Sequence, residues 1–500
     1  MKKNQSEDPV FPGSFRKFLL TGRNKDQLLI LSALYLVLYV VLILLYPYPA
    51  GISDSGSYVR AAAENMQDTY RPFGYSRFLI IIHSLSPSIH FLVFIQYIIN
   101  ALSAIFLLFT VKYFYPPRRI FIFWIYAIAA VFSPLLIYLS NSVLSDSLFT
   151  SMTMLWLATG LWMINQSKQG VKIASFGFHA LLLFFLITVR FTGLAYLPVS
   201  VFFVILSFDR KKLRLSSSLV IILLIIVYSF YSYQKSKIFE LVRVRTFSGF
   251  SGWQKASNAL NCVPYININP SDIRDRKLKE FTRFVLQYDT LLVTDSRPSA
   301  KFMWDNRLPL KAWCINEAQR TNTPYIYQWN YLGAKLYGRF GSYIMKKYPF
   351  AFARYYLLPN CRLIFFPADD QVVKVFRTDW IPDTLLGSWF RFDKGEKLHS
   401  NSRLFQKIFI LIPVARSLLW LLLLFSLVAF VVKRRTVKLS PARTRSFLAL
   451  LAFVVVYYAF SAYAGPFELR YIGPVHLAII SLIYISLNEI TFINRTGLKP

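Results

Sequence analysis

The chain has 500 residues, 55% of them hydrophobic and 17% aromatic, but only 16% charged. Soluble domains carry about 25% charged residues, and the apolar residues here fall in blocks of about 20, enough to cross ~30 Å of hydrocarbon, so a soluble globular protein is excluded. The net charge of +33 is read as basic cytoplasmic loops drawn to anionic headgroups, not as a nucleic-acid surface.

Residues 1–26 form a polar, basic cytoplasmic leader. It lacks a small-residue cleavage site behind a short apolar core, so the first span, 27–46, is read as retained rather than as a signal peptide. An outer loop follows at 47–85. It carries Gly51-Ile52-Ser53-Asp54-Ser55-Gly56-Ser57-Tyr58 and then Tyr70-Arg71-Pro72-Phe73-Gly74-Tyr75. Asp54 is the leading candidate for a base at the membrane mouth. The plainer reading is that it caps a helix beginning near Ser55. Arg60 and Arg71 are candidate phosphate-binding groups, because a guanidinium donates two hydrogen bonds at once. Snorkelling to the interface is the ordinary alternative for such arginines. His83 is a candidate metal ligand, set against a simple interfacial histidine.

Spans are expected at 89–111 and 119–139, followed by a short outer loop and a fourth span, 145–164, that opens on Ser145-Asp146-Ser147. Asp146 either caps that helix or joins Asp54 in one cavity, where two acids can position a hydroxyl or a divalent cation and supply a base. The fifth and sixth spans, 171–188 and 192–208, are separated only by Val189-Arg190-Phe191. The seventh, 216–233, completes an N-terminal membrane module over 27–233. Residues 234–403 have a globular balance of Pro, Trp, Tyr and mixed charges. At roughly 170 residues they are enough to bury a core. The apolar spacing of Arg274–Leu286 predicts a helix and Thr290–Thr294 a short strand, so a mixed α/β extracytoplasmic domain is expected. It is basic, with clusters at Arg274-Asp275-Arg276-Lys277 and Lys346-Lys347, as suits a surface facing lipid phosphates. Trp253-Gln254 and Lys301-Phe302-Met303-Trp304 offer sugar-stacking rings or ordinary structural tryptophans. All three cysteines, Cys262, Cys314 and Cys361, lie here. One disulfide with a leftover thiol, or three unpaired thiols, fits that count. Spans at 404–432, 445–463 and 470–488 form a C-terminal module over 404–488, with Arg470 opening the last span and a tail at 489–500.

Loop charge orients these ten spans. Every second connection, counted from the N-terminus, is rich in Lys and Arg, as in Arg210-Lys211-Lys212 and Lys433-Arg434-Arg435, whereas Ser140–Leu144 and Ala464–Leu469 have none. Both termini are therefore expected in the cytoplasm and the large domain outside the cell (inner) membrane. No phosphate loop, HExxH or CxxC motif is present.

In its ordered motifs the chain resembles the GT-C superfamily of integral-membrane glycosyltransferases, nearest the protein O-mannosyltransferases and lipid A aminoarabinose transferases. The resemblance rests on Asp54 in the first outer loop, the Tyr70–Tyr75 stretch, Leu144-Ser145-Asp146-Ser147-Leu148-Phe149, Arg190-Phe191-Thr192-Gly193 and Arg470-Tyr471-Ile472-Gly473-Pro474. It covers mainly 27–210 and 445–490. The chain departs from the family in having serine after Asp54, where a second acid is common, and Asp146 where glutamate is usual. The resemblance implies a sugar donor on a polyprenyl phosphate and inversion at the sugar carbon, with Asp54 activating the hydroxyl of a lipid, glycan or protein acceptor. Arg190, Arg470 and Arg71 would hold the leaving phosphate, with Tyr75 and Tyr471 beside them as substrate-binding candidates. This reading requires Asp54, Asp146, Arg190 and Arg470 to converge on one cavity. Three alternatives stay open: a transporter or flippase for lipid-linked sugars, a polymerase or ligase for surface glycans, and a non-enzymatic assembly protein.

Overall fold

A computed structural model describes residues 14–46, 49, 53–208, 210–288, 298, 300–367, 379–380, 384–392, 398–399, 407, 411–436 and 441–490. Among these, nine helices are long and apolar enough to cross a membrane. They match nine of the ten expected spans. The remaining one, the sixth, is the shorter apolar helix Phe191–Ser207. The chain is a helical polytopic membrane protein.

Composition tracks position in the bundle. The first span, Gly22–Leu45, is the most apolar of the nine and is mostly left uncovered by protein, whereas the fourth, Ser145–Asn165, is the least apolar and is mostly buried. A lipid-facing helix has no polar partners, so its side chains must be apolar. An enclosed helix can carry hydroxyls that bond to its neighbours. The fourth span does this. Asn100 donates to Ser151 Oγ at 3.4 Å, and Thr153 shares a 2.7 Å hydrogen bond with the Tyr196 hydroxyl. The last span, Leu469–Asn488, is 83% buried and packs against the fourth. The third span, Ile120–Ser140, is broken at Phe132-Ser133, where Ser133 caps a new helix with Pro134 in its first turn.

The inserted domain is helical wherever described, except for a two-residue antiparallel pair joining Asp379 to His399 and Trp380 to Leu398. The mixed α/β content expected for it is thus not seen among the described residues, and the expected strand at Thr290–Thr294 lies outside them. The expected helix runs Arg276–Leu286, capped by Asp275, which accepts from the Leu278 N–H at 2.8 Å. The three cysteines are free thiols, so the disulfide reading is not met. Cys262 and Cys314 face the domain core, where burial pushes both thiols up to about 12. That is far from thiolate chemistry.

Helix Phe250–Leu260 crosses the π-helical turn Gly333–Tyr337 at backbone contact: a Cβ on Gly252 would lie 1.8 Å from Gly333 O. This crossing seats Trp253, whose indole N–H donates to Trp329 O at 2.8 Å. Gly252→Ala is expected to destabilise the domain by roughly 1–3 kcal/mol through overpacking, read as a lowered unfolding temperature. An unchanged midpoint would show that the crossing can open without cost.

Two asparagines lock the domain to the membrane module. Asn258 donates to Tyr463 O at 2.9 Å, and Asn360 donates to Ala462 O and Gly465 O, both at 2.7 Å. Asn360 Oδ1 also accepts from Phe467 N–H at 2.7 Å. The loop between the ninth and tenth spans is held on both sides, and it leads directly into Glu468 and Arg470.

Candidate functional site

Four segments meet at one end of the bundle. Asp54 is the second residue of helix Ser53–Ala63 and points into a cavity of about 410 Å³. Arg71 comes from the loop before helix Gly74–Leu85. Arg190 ends the fifth span in extended conformation, and a 3₁₀ turn, Phe191–Ala195, folds back immediately after it. That reversal needs Gly193, because a Cβ there would lie 2.7 Å from Ile187 N. Arg470 lies in a second 3₁₀ turn, Leu469–Ile472, that opens the last span.

Their side chains form one ion-pair network. Asp54 accepts from Arg71 Nη2 on Oδ1 and from Arg470 Nη1 on Oδ2, each at 2.7 Å. Arg470 Nε pairs with Glu468 Oε2 at 2.6 Å, and its Nη1 lies 3.8 Å from Asp146 Oδ2. Asp146 Oδ1 is ion-paired to Arg190. Three guanidinium groups face three carboxylates, so the network is neutral. Tyrosines clamp it: Arg71 lies over the Tyr58 ring at 4.5 Å, and Tyr471 carries Arg190 at 5.4 Å and Arg470 at 5.5 Å.

Burial by itself would push the Asp54 carboxyl up. Arg470 and Arg71 outweigh it and hold the group well below the usual carboxylate range. Asp68 behaves in the opposite way. Burial raises it from 3.8 to about 6, although the Tyr70 N–H and Arg71 pull it down. Between these values the folded protein holds a proton that the unfolded chain releases. Asp68 therefore lowers stability as pH rises from about 4 to about 6. Asp68→Asn is expected to flatten that slope in pH-dependent thermal unfolding, because its side-chain oxygen can still accept from Tyr70 N–H. An unchanged slope would assign the pH dependence elsewhere.

The expected residues separate clearly. Asp54, Arg71, Arg190, Arg470 and Tyr471 line the cavity. Asp146 belongs to the network but stands behind the wall, its side chain 5% exposed, and Leu144 rather than Asp146 takes the cap position of the fourth span. Tyr75 is also behind the wall. It is fully buried, donates to Gln96 Oε1 at 2.9 Å and supports Tyr58 edge-on at 4.9 Å. Arg60 is exposed and does not line the cavity. His83 stacks on Trp389 at 4.0 Å. Among the described residues no three His, Cys, Asp or Glu side chains group to hold a metal. Asp54 and Asp146 are instead engaged by guanidinium groups.

No protein-family model, curated protein or solved structure matches the chain.

Tyr58, Glu468 and Phe250 line the cavity without having been expected there, and the two tryptophan-bearing segments also reach it. Tyr58 follows Asp54 by four residues, one helical turn, and so shares its face. Glu468 sits two residues before Arg470 and pairs with it. The inserted domain contributes Phe250, Gln254, Met303 and Trp304. The two tryptophan segments thus part ways: Trp304 is 47% exposed and lines the cavity, whereas Trp253 is sealed in the core.

Proposed function

We propose that the protein is a membrane glycosyltransferase of the GT-C type, moving a sugar from a polyprenyl-phosphate donor to an acceptor hydroxyl. The observation that carries this reading is the bridging of one carboxylate, Asp54, by two arginines in the wall of a cavity at the bundle's end. The alternating basic connections of the sequence support a cavity on the extracytoplasmic side of the cell membrane, with both termini in the cytoplasm.

The network supplies what this reaction needs. A phosphate is already a competent leaving group, so the protein must neutralise its charge and align the attack. Arg71, Arg190 and Arg470 are each ion-paired to a carboxylate. An arriving donor phosphate competes with Asp54 for Arg71 and Arg470. As those hydrogen bonds transfer to phosphate, Asp54 loses the charges that depress its basicity. It then accepts the proton of the acceptor hydroxyl while the hydroxyl oxygen forms a bond to the sugar carbon. The bond from that carbon to the phosphate oxygen breaks, and the lipid phosphate leaves with the electron pair. Attack from the face opposite the phosphate inverts the carbon. Glu468 and Asp146 keep Arg470 and Arg190 oriented throughout.

The test is transfer itself. The full chain, reconstituted in liposomes, is given a panel of radiolabelled polyprenyl-phosphate sugars together with a lipid and glycan extract of envelope material. Label is expected to move to an acceptor, leaving polyprenyl phosphate. Equilibration of labelled donor across the bilayer without cleavage would instead establish a flippase.

A further inference from the structure

The cavity has a second kind of wall. Trp253, Trp329, Phe250 and Trp304 form a ladder of rings running from the domain core to the cavity. Trp253 and Trp329 stack at 5.3 Å and 16°, Trp329 and Phe250 stack at 6.2 Å and 12°, and Phe250 meets Trp304 in a tilted contact at 6.1 Å and 30°. The inner end is fixed, because Trp253 is fully buried and bonded to Trp329 O. The outer end is not covered: Trp304 is 47% exposed and lines the cavity, with Gln254 also in its lining. A flat ring held rigid from behind, with its free surface beside hydrogen-bonding groups, is what a pyranose needs. Its axial C–H face packs on the ring while its hydroxyls reach polar side chains.

Resting on the transferase reading, we infer that Phe250, Trp304 and Gln254 form an acceptor subsite for a saccharide, with Trp304 as its stacking platform. The placement assigns this wall to the acceptor rather than the donor. The donor's phosphate belongs with the arginines, which come from the membrane ends, and its lipid must continue into the bilayer. The ladder leads away from that point, from Arg71 over Tyr70 at 5.1 Å to Phe250 at 5.9 Å and on to Trp304. The inserted domain thereby selects the acceptor as well as closing the cavity. A peptide hydroxyl is the competing acceptor, but a flat platform beside an amide suits a ring of hydroxyls better than an extended backbone.

Two measurements test this, both on the full chain in nanodiscs. In saturation-transfer difference NMR, trisaccharides of glucose, mannose and N-acetylglucosamine and a Ser/Thr-rich peptide serve as probes. At least one trisaccharide is expected to receive saturation on its ring C–H protons, with the signal lost in Trp304→Ala and kept in Trp304→Phe. In the transfer assay, Trp304→Ala is expected to raise the acceptor KM roughly tenfold, the loss of one stacking contact, with kcat and donor KM little changed and Trp304→Phe restoring most of it. Failure of all three trisaccharides, or saturation of the peptide alone, overturns the inference, as does an acceptor KM unmoved by Trp304→Ala in an enzyme that transfers. Absence of any transfer would sink the transferase reading instead, leaving the NMR result to decide whether the domain binds saccharide.

Discussion

Asp54→Asn is expected to cut sugar transfer by roughly 10²–10⁴-fold, the usual contribution of a positioned base, and to leave the protein folded. Asparagine keeps the size of the side chain and can still accept from one guanidinium. Arg470 keeps its ion pair with Glu468 at 2.6 Å, and Arg71 stays over the Tyr58 and Tyr70 rings, so neither guanidinium is left without a partner. The kinetic signature is specific. In the proposed mechanism the carboxylate competes with donor phosphate for Arg71 and Arg470, each 2.7 Å from it. Its removal should lower the donor KM while kcat collapses, the pattern of a residue that opposes ground-state binding but serves the transition state. A residue that merely held the site together would raise KM. The pH dependence follows from the same pairing. Arg470 and Arg71 hold Asp54 below the usual carboxylate range, so in the free enzyme it stays ionised until pH falls below that range. Its contribution to stability is likewise present above the ordinary carboxylate value and lost only as pH falls through its depressed one. An acid limb near neutrality in kcat/KM for the donor would therefore belong to another group. Transfer at the wild-type rate by a folded Asp54→Asn protein would remove Asp54 from the mechanism.

The parts of this site that could be read in advance are those fixed by local chain direction. Each arginine of the network stands where a helix ends or begins, within three residues of a glycine or proline (Pro72, Gly193 and Gly473), and such punctuation is visible in sequence. The periodicity of helix Ser53–Ala63 is equally visible in sequence. At about 100° per residue, Tyr58 lies on the face of Asp54 and Arg60 about 240° around from it. Tyr58 lines the cavity accordingly, and Arg60 does not. What could not be read depends on docking. Gln254 and Trp304 stand out in sequence as candidate sugar contacts, but their meeting with Phe250 at the cavity depends on Asn258 and Asn360 gripping the carbonyls of the loop after the ninth span, 205 and 102 residues away at their first contacts. A lone asparagine leaves no pattern in a sequence. The ten apolar blocks were legible because a membrane imposes length and polarity on each helix separately. The interior of the inserted domain depends on helix crossings such as that of Gly252 on Gly333, which no single segment encodes.

Asp146→Asn should fail differently from Asp54→Asn, and the contrast separates positioning from chemistry. The Asp146 side chain is 5% exposed and the Arg190 side chain 15%, so the ion pair between them is largely withdrawn from water. Removing one partner of such a pair leaves the other uncompensated, at a cost of about 3–5 kcal/mol. The neighbours cannot repair the loss. Asp54 already serves two arginines, and Glu468 holds Arg470. Arg190 also lies over Tyr471 at 5.4 Å and Phe149 at 5.8 Å, so its displacement moves the cavity wall at Tyr471. The expected result is a clear fall in unfolding temperature together with reduced transfer, in which donor KM rises because Arg190 no longer points at the phosphate. Adding Arg190→Met to Asp146→Asn removes the orphaned charge and should recover much of the stability without recovering transfer. If Asp146→Asn instead abolishes transfer at an unchanged unfolding temperature and donor KM, then Asp146 reaches the reacting atoms, and the wall that separates it from the cavity must open during the reaction.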